Sequence, residues 1–147
     1  MKKLVVVRHG AYNEDLRLDE LGQAQISGLA EKLKARVGGT TVRVLSSPLC
    51  RADESAEILA SALGAPMGPA EMFDVLRRSE GFENILNLVR AHEAEAETLV
   101  LVGHEWLFAF PEFYAKNVLR LELCAPKLKF GEACILDCEK KNLAHVA

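Results

Sequence analysis

Apolar positions along this chain follow two alternating rhythms. Short unbroken runs such as Leu4-Val5-Val6-Val7 and Leu99-Val100-Leu101-Val102 have strand length and β-branched character. Between them, apolar residues recur every three or four positions, as on one face of a helix. Strands are predicted near residues 3–8, 42–46, 98–103 and 133–138, with weaker candidates near 71–75, 120–124 and 142–146. Helices are predicted near 20–37, 48–63, 79–96 and 106–118. The first helix carries Leu21, Ala24, Gln25, Gly28, Leu29 and Leu33 at helical spacing, with Asp19 to cap it and Gly38-Gly39 to end it. The second carries Leu49, Ala52, Ala56, Leu59, Ala60 and Leu63 and stops at Gly64. Runs apolar at every position belong to strands buried on both faces. Strands alternating with helices imply an α/β fold: a three-layer αβα sandwich around a mostly parallel sheet. No repeat, low-complexity tract or linker interrupts residues 1–147, so one domain is expected.

The strand ends carry the chemistry. The first strand runs into Arg8-His9-Gly10 and the third into Gly103-His104-Glu105. In open α/β sheets, ligands bind in the crevice at the carboxyl ends of the strands. An arginine beside an imidazole there suits an oxyanion and a nitrogen to act on it. Gly10 is expected to allow a sharp turn and a close approach to a ligand. Between these strands, Val42 to Leu59 reads as a strand, a Ser46-Ser47-Pro48 turn and a helix beginning near Pro48. Arg51 falls in that helix's first turn, where free N–H groups and the helix dipole favour phosphate.

Taken together, Arg8-His9-Gly10, Ser46-Ser47-Pro48-Leu49-Cys50-Arg51-Ala52, Gly103-His104 and the helix entry Leu18 to Ala24 resemble the histidine phosphatase superfamily, the phosphoglycerate-mutase-like family. The resemblance runs from Met1 to about Ala115. The short length and Ala70 to Leu76 are most similar to its phosphohistidine phosphatase SixA group. This implies a metal-independent, cofactor-free phosphatase with His9 as the nucleophile. A neutral imidazole attacks phosphorus well and forms a labile N–P bond. Arg8 and Arg51 would hold the phosphoryl oxygens through their planar forks. His104 would donate a hydrogen bond as imidazolium, a state that a dianionic ligand favours.

An alkoxide leaving group needs a positioned acid. The mutase-like branch of the family places a Glu where this chain has Val75, beside Asp74. The acid-phosphatase branch places an acid directly after the second histidine, here Glu105. Glu80 is a third candidate, on a loop. Glu105 is the favoured donor. With no donor, substrates with easy leaving groups remain, phosphohistidine among them. The link Ala11 to Leu18 is short, and no long insertion is available for a lid. An open site suits a phosphoryl group carried on a protein. The expected partner is therefore a phosphorylated signalling or phosphotransfer protein, such as a histidine-phosphotransfer domain. A small phosphoester is the alternative substrate. A phosphate-binding or interaction module without turnover is the alternative from another class.

Composition narrows the remaining choices. A net charge of −3 offers no basic stripe for nucleic acid, while two arginines can still make a local positive pocket. Met1-Lys2-Lys3 precedes only four apolar residues, too few for a secretory segment, and no run is long enough to span a membrane. A cytoplasmic location is expected. Cys50, Cys124, Cys134 and Cys138 lack Cys-x-x-Cys pairing, so no metal site is expected and core packing is favoured. Trp106, Phe110 and Phe113 keep helical spacing within a stretch holding five of the nine aromatics. Core packing is favoured for them, with walling of the pocket or docking of a substrate as the alternative. His92 and His145 have no motif around them and read as surface or structural.

Overall fold

β1 (Lys3–Arg8) is the middle strand of a five-stranded sheet ordered β2-β3-β1-β4-β5. The computed structural model describes residues 1–67, 74–77 and 81–147. β2 (Val42–Ser46) and β3 (Thr98–Gly103) run parallel to β1. β4 (Ala133–Asp137) pairs antiparallel with β1, and β5 (Asn142–Val146) antiparallel with β4. Only β4 therefore runs against the other four strands. All six residues of β3 are buried, as expected for a central strand covered on both faces.

Side-chain alternation divides the interior into two cores. Val5, Val7, Val44, Val100, Val102 and Ile135 face α1 (Glu20–Val37) and α2 (Cys50–Leu63). Leu4, Val6, Leu99, Leu101 and Leu136 face the opposite layer, built from α3 (Phe82–His92) and α4 (Phe110–Tyr114). Each fully buried Val or Leu contributes about 1.5–3 kcal/mol. The result is a three-layer αβα sandwich, the architecture that the sequence resemblance implies.

Four expected elements differ. Residues 106–118 form a 3₁₀ turn (Glu105–Ala109), α4 and a π turn (Ala115–Leu119), in place of one helix. Pro111 sits at the start of α4, where its missing N–H is tolerated, but it cannot bond back into a preceding turn. The 120–124 candidate is not a strand. Arg120 turns left-handed (φ 59°), and Leu121 and Leu123 pack half-buried on the core with no strand to pair with. Of the 71–75 candidate, residues 71–73 lie outside the described residues, and Asp74–Leu76 is a 3₁₀ turn with Leu76 in the core. The third helix ends at His92 because the acidic run from Glu93 opposes its dipole. His92 is buried and donates from Nδ1 to the Leu88 carbonyl at 2.9 Å, a structural role. Trp106, Phe110 and Phe113 are core residues, clustered about Phe82 with ring centroids 6.4, 5.7 and 5.5 Å away.

Gly10 has a different purpose from the one expected. Its φ is not positive, and its close approach is to the first turn of α1. A Cβ on Gly10 would lie 2.6 Å from the Gly22 carbonyl oxygen, and one on Gly22 would lie 2.0 Å from the Ala11 carbonyl oxygen. The loop after β1 thus rests backbone to backbone on α1. Asp19 caps that helix through the Gly22 N–H at 2.7 Å, and its own N–H bonds the Ala11 carbonyl. Gly22→Ala should therefore destabilise the fold by about 1–3 kcal/mol or more, as overpacking does. Gly28, in the same helix, has nothing within 4 Å of its missing Cβ. Gly28→Ala should stabilise by about 0.4–1 kcal/mol. Urea midpoints moving in opposite directions test this pair; a neutral Gly22→Ala would show that the loop is not packed there.

Candidate active site

Register places the two histidines side by side. Arg8 lies opposite Gly103 in the β1–β3 ladder, so His9 and His104 leave adjacent strands at the same level. Their rings are 5.2 Å apart at 67°. The His9 N–H extends the pairing to the Gly103 carbonyl at 3.1 Å. The packing favours glycine at 103, because a Cβ would press on the Leu107 side-chain tip at 2.9 Å and on the Leu76 carbonyl oxygen at 3.2 Å. From β2, Ser47 reaches the same corner, its Oγ 2.9 Å from His104 Nε2. Arg51 stands in the first turn of α2. One turn on, the Ser55 hydroxyl donates to the Arg51 carbonyl (2.7 Å) and accepts the Gly10 N–H (3.1 Å), tying α2 to the loop that carries His9.

His9 has a defined tautomer. Its Nδ1 lies 2.8 Å from the Gly10 carbonyl oxygen, which can only accept. The ring proton is therefore on Nδ1, and Nε2 keeps its lone pair. Burial pushes the His9 pKa down to about 4; the Gly10 bond opposes this, while the charges of Arg51 and Arg8 add to it. His104 is also pushed down to about 4, by burial first, then by His9, Arg51 and Arg8. The protein's own groups thus favour neutral rings; the imidazolium expected on His104 depends on a dianionic ligand, which acts in the opposite sense.

Arg8 and Arg51 carry uncompensated charge. Neither pairs with a carboxylate among the described residues, whereas Arg17, Arg43 and Arg77 each do. The Nε atoms of both are buried without a hydrogen-bond partner. Arg8 donates from Nη1 to the Leu128 carbonyl at 3.0 Å and stacks on Phe130 at 4.2 Å. Arg51 lies over Tyr12 at 4.9 Å. Aromatic faces hold a guanidinium in place without cancelling its charge. Two half-buried cations without a carboxylate partner among the described residues are suited to an anion that would complete them.

Tyr12 and Phe130 also flank His9, with ring centroids 5.4 and 5.6 Å away. These two, and not the 106–114 aromatics, wall the site. Tyr12 begins a small hairpin closed by pairing with Leu18 and braced by Asn13, whose side-chain oxygen accepts the N–H groups of Asp15 and Arg17. Tyr12 lies three residues from His9 and could have been suspected. Phe130 carried no local signal. Ser47 and Ser55 read only as turn and helix residues.

The acid candidates separate. Glu105 opens the 3₁₀ turn directly after His104 and is exposed, with no hydrogen bond or ion pair to another described residue. Asp74 sits 2.9 Å from the Arg77 guanidinium. Its turn abuts the end of β3 through the Leu76 carbonyl. Glu80 lies outside the described residues. Cys134 is buried in the sheet core, Cys138 is partly buried, and Cys50 and Cys124 are exposed. Among the described residues, no group of three His, Cys, Asp or Glu could hold a metal ion. No helix among them is long and apolar enough to cross a membrane.

Two histidines stand beside two arginines that have no carboxylate partner among the described residues, at the carboxyl edge of parallel strands, an arrangement suited to a phosphatase. The chain belongs to the histidine phosphatase superfamily (branch 1), whose family model matches residues 4–77. No curated protein matches it in sequence. Its fold is similar to that of the protein histidine phosphatase SixA complexed with tungstate, at 18% identity over 99% of this chain and 94% of that one, with a TM-score of 0.69. It is similar to a protein assigned as the phosphohistidine phosphatase SixA of Agrobacterium tumefaciens (21% identity, 99% and 96% covered, TM-score 0.65). It is also similar to a mycobacterial glucosyl-3-phosphoglycerate phosphatase in complex with VO3 (19% identity, 99% and 97% covered, TM-score 0.62).

Proposed function

We propose that the chain hydrolyses its substrate in two displacements through a phosphohistidine on His9. The Nε2 lone pair attacks phosphorus, the bond to the leaving group breaks, and the leaving group takes a proton. Water then cleaves the N–P bond and releases phosphate. The observation that carries this reading is the 2.8 Å bond from Nδ1 to the Gly10 carbonyl, which leaves Nε2 bare near two arginines that have no carboxylate partner among the described residues. Arg8 and Arg51 hold the phosphoryl oxygens, and such fixed donors supply most of the catalysis in phosphoryl transfer. The whole chain, residues 1–147, acts as one phosphatase domain.

The favoured substrate is phosphohistidine on a signalling or phosphotransfer protein in the cytoplasm. Its imidazole leaves readily once protonated, so it does not depend on a carboxylic acid held in the site. Glu105 is exposed and untethered, and Asp74 is engaged with Arg77. Likeness to proteins named as SixA supports the same substrate class. A second reading, a small-molecule phosphomonoesterase, rests on Glu105 following His104 directly and being free to protonate an alkoxide.

A substrate panel with Glu105→Gln separates these readings. On the favoured one, wild type turns over a phosphohistidine protein faster than sugar phosphates, and the variant keeps that rate. If Glu105 is the acid, alkyl phosphates lose about 10²-fold or more in the variant, as general acids imply. Aryl phosphates then lose less, because a phenolate leaves with little help. Equal losses on all substrates would show that Glu105 positions the phosphate. Binding of phosphate without turnover of any substrate would leave only a binding module.

A further inference from the structure

We propose that Ser47 sets the tautomer of His104, holding its proton on Nδ1 so that a neutral ring donates a hydrogen bond to the phosphoryl group. This rests on the phosphatase reading above and assigns Ser47 a positioning role in it.

The inference comes from counting donors and acceptors. Ser47 is fully buried. Its Oγ meets two groups, the Leu49 N–H at 3.3 Å and His104 Nε2 at 2.9 Å. An amide N–H can only donate, so it takes one of the hydroxyl's lone pairs. The hydroxyl's own proton then needs an acceptor, and among the described residues only His104 Nε2 lies within reach. If Nε2 carried the ring proton instead, the Ser47 proton would be buried without a partner, a costly arrangement. Nε2 therefore accepts, and the ring proton sits on Nδ1, which has no partner among the described residues.

The two histidines thus share one tautomer by opposite means. His9 gives its Nδ1 proton to the Gly10 carbonyl and presents a bare nitrogen. His104 receives the Ser47 proton at Nε2 and presents an N–H. The pair is one nucleophile and one donor, and neither needs a charge. Neutrality also suits the intermediate. When Nε2 of His9 bonds to phosphorus while Nδ1 keeps its proton, the ring becomes formally cationic. A neutral His104 ring 5.2 Å away adds no further positive charge beside it. Burial and the neighbouring charges push the His104 pKa down in the same sense.

The test reads the tautomer directly. Long-range proton–nitrogen correlation on the ¹⁵N-histidine-labelled full chain at pH 7, with His104 assigned by the signals lost in His104→Gln, should show a protonated Nδ1 and a bare Nε2. In Ser47→Ala the His104 pattern should move toward the other tautomer. Its kcat on an aryl phosphate should fall on the order of tenfold, the scale on which partners that orient reactive histidines act. Ser47→Thr, which keeps the hydroxyl, should restore both. A proton on Nε2 or a doubly protonated ring in the wild type overturns the proposal, and so does an unchanged tautomer in Ser47→Ala. If Ser47→Ala does not fold, the wild-type spectrum alone decides. Failure of the phosphatase reading shows up separately, as no turnover by wild type, whatever the tautomer.

Discussion

His9→Ala should abolish turnover while phosphate still binds. On the proposed mechanism the side chain removed is the group that bonds to phosphorus, while the arginines proposed to supply affinity remain. Loss of a covalent nucleophile costs on the order of 10⁴-fold or more in kcat. Rapid quench of the wild type with labelled substrate should trap an acid-labile, base-stable phosphoenzyme, absent from the variant. Titration calorimetry should give similar phosphate affinities for the two proteins. The pH profile follows from the same residue. Its pKa of about 4 keeps Nε2 free above that pH, and protonation below it removes the lone pair. The acid limb of kcat/KM, which reports the free enzyme, should fall near pH 4 and not at the ordinary histidine value. Full activity in His9→Ala would falsify the covalent route.

Arg51→Lys should be nearly as damaging as Arg51→Met. Removing one preorganised donor from a transition-state pocket costs about 10²–10³-fold in kcat. Lysine keeps the charge but loses the fork that grips two oxygens and the flat face that rests on Tyr12 at 4.9 Å. Phosphate affinity should weaken in both variants, since Arg51 lacks a carboxylate partner among the described residues and the bound anion is its counter-charge. Kinetics on an aryl phosphate and a phosphate titration check this. Wild-type kcat and affinity in Arg51→Lys would show that charge alone is needed and that the fork and stack are incidental.

Much of the fold was legible because its signals are local. β1 and β3 are runs whose every apolar residue is buried, and such runs need no knowledge of their partners to be recognised. α1 carries its own start and stop, Asp19 on the Gly22 N–H and Gly38 at its end. The misread segments are those where local pattern and outcome part. Leu121 and Leu123 alternate as strand residues do, yet they join neither edge of the sheet, β2 or β5, and pack on the core instead. The apolar stretch from Trp106 holds helical spacing, yet Pro111 divides it into three kinds of turn.

The site shows the same division. Sequence by itself determined that two strands end in histidines and that an arginine follows each of two strands closely, because strand ends are written in neighbouring residues. Only tertiary structure decided what those residues can do. Arg8 meets Leu128 and Phe130 across some 120 residues of chain. The tautomers of His9 and His104 depend on which polar atom, Gly10 carbonyl or Ser47 hydroxyl, faces which ring nitrogen. Both pKa values depend on burial and on charges brought together by the β1–β3 register. Periodicity records which way a side chain points; desolvation, hydrogen bonding and charge act through space, between groups that the chain order keeps apart.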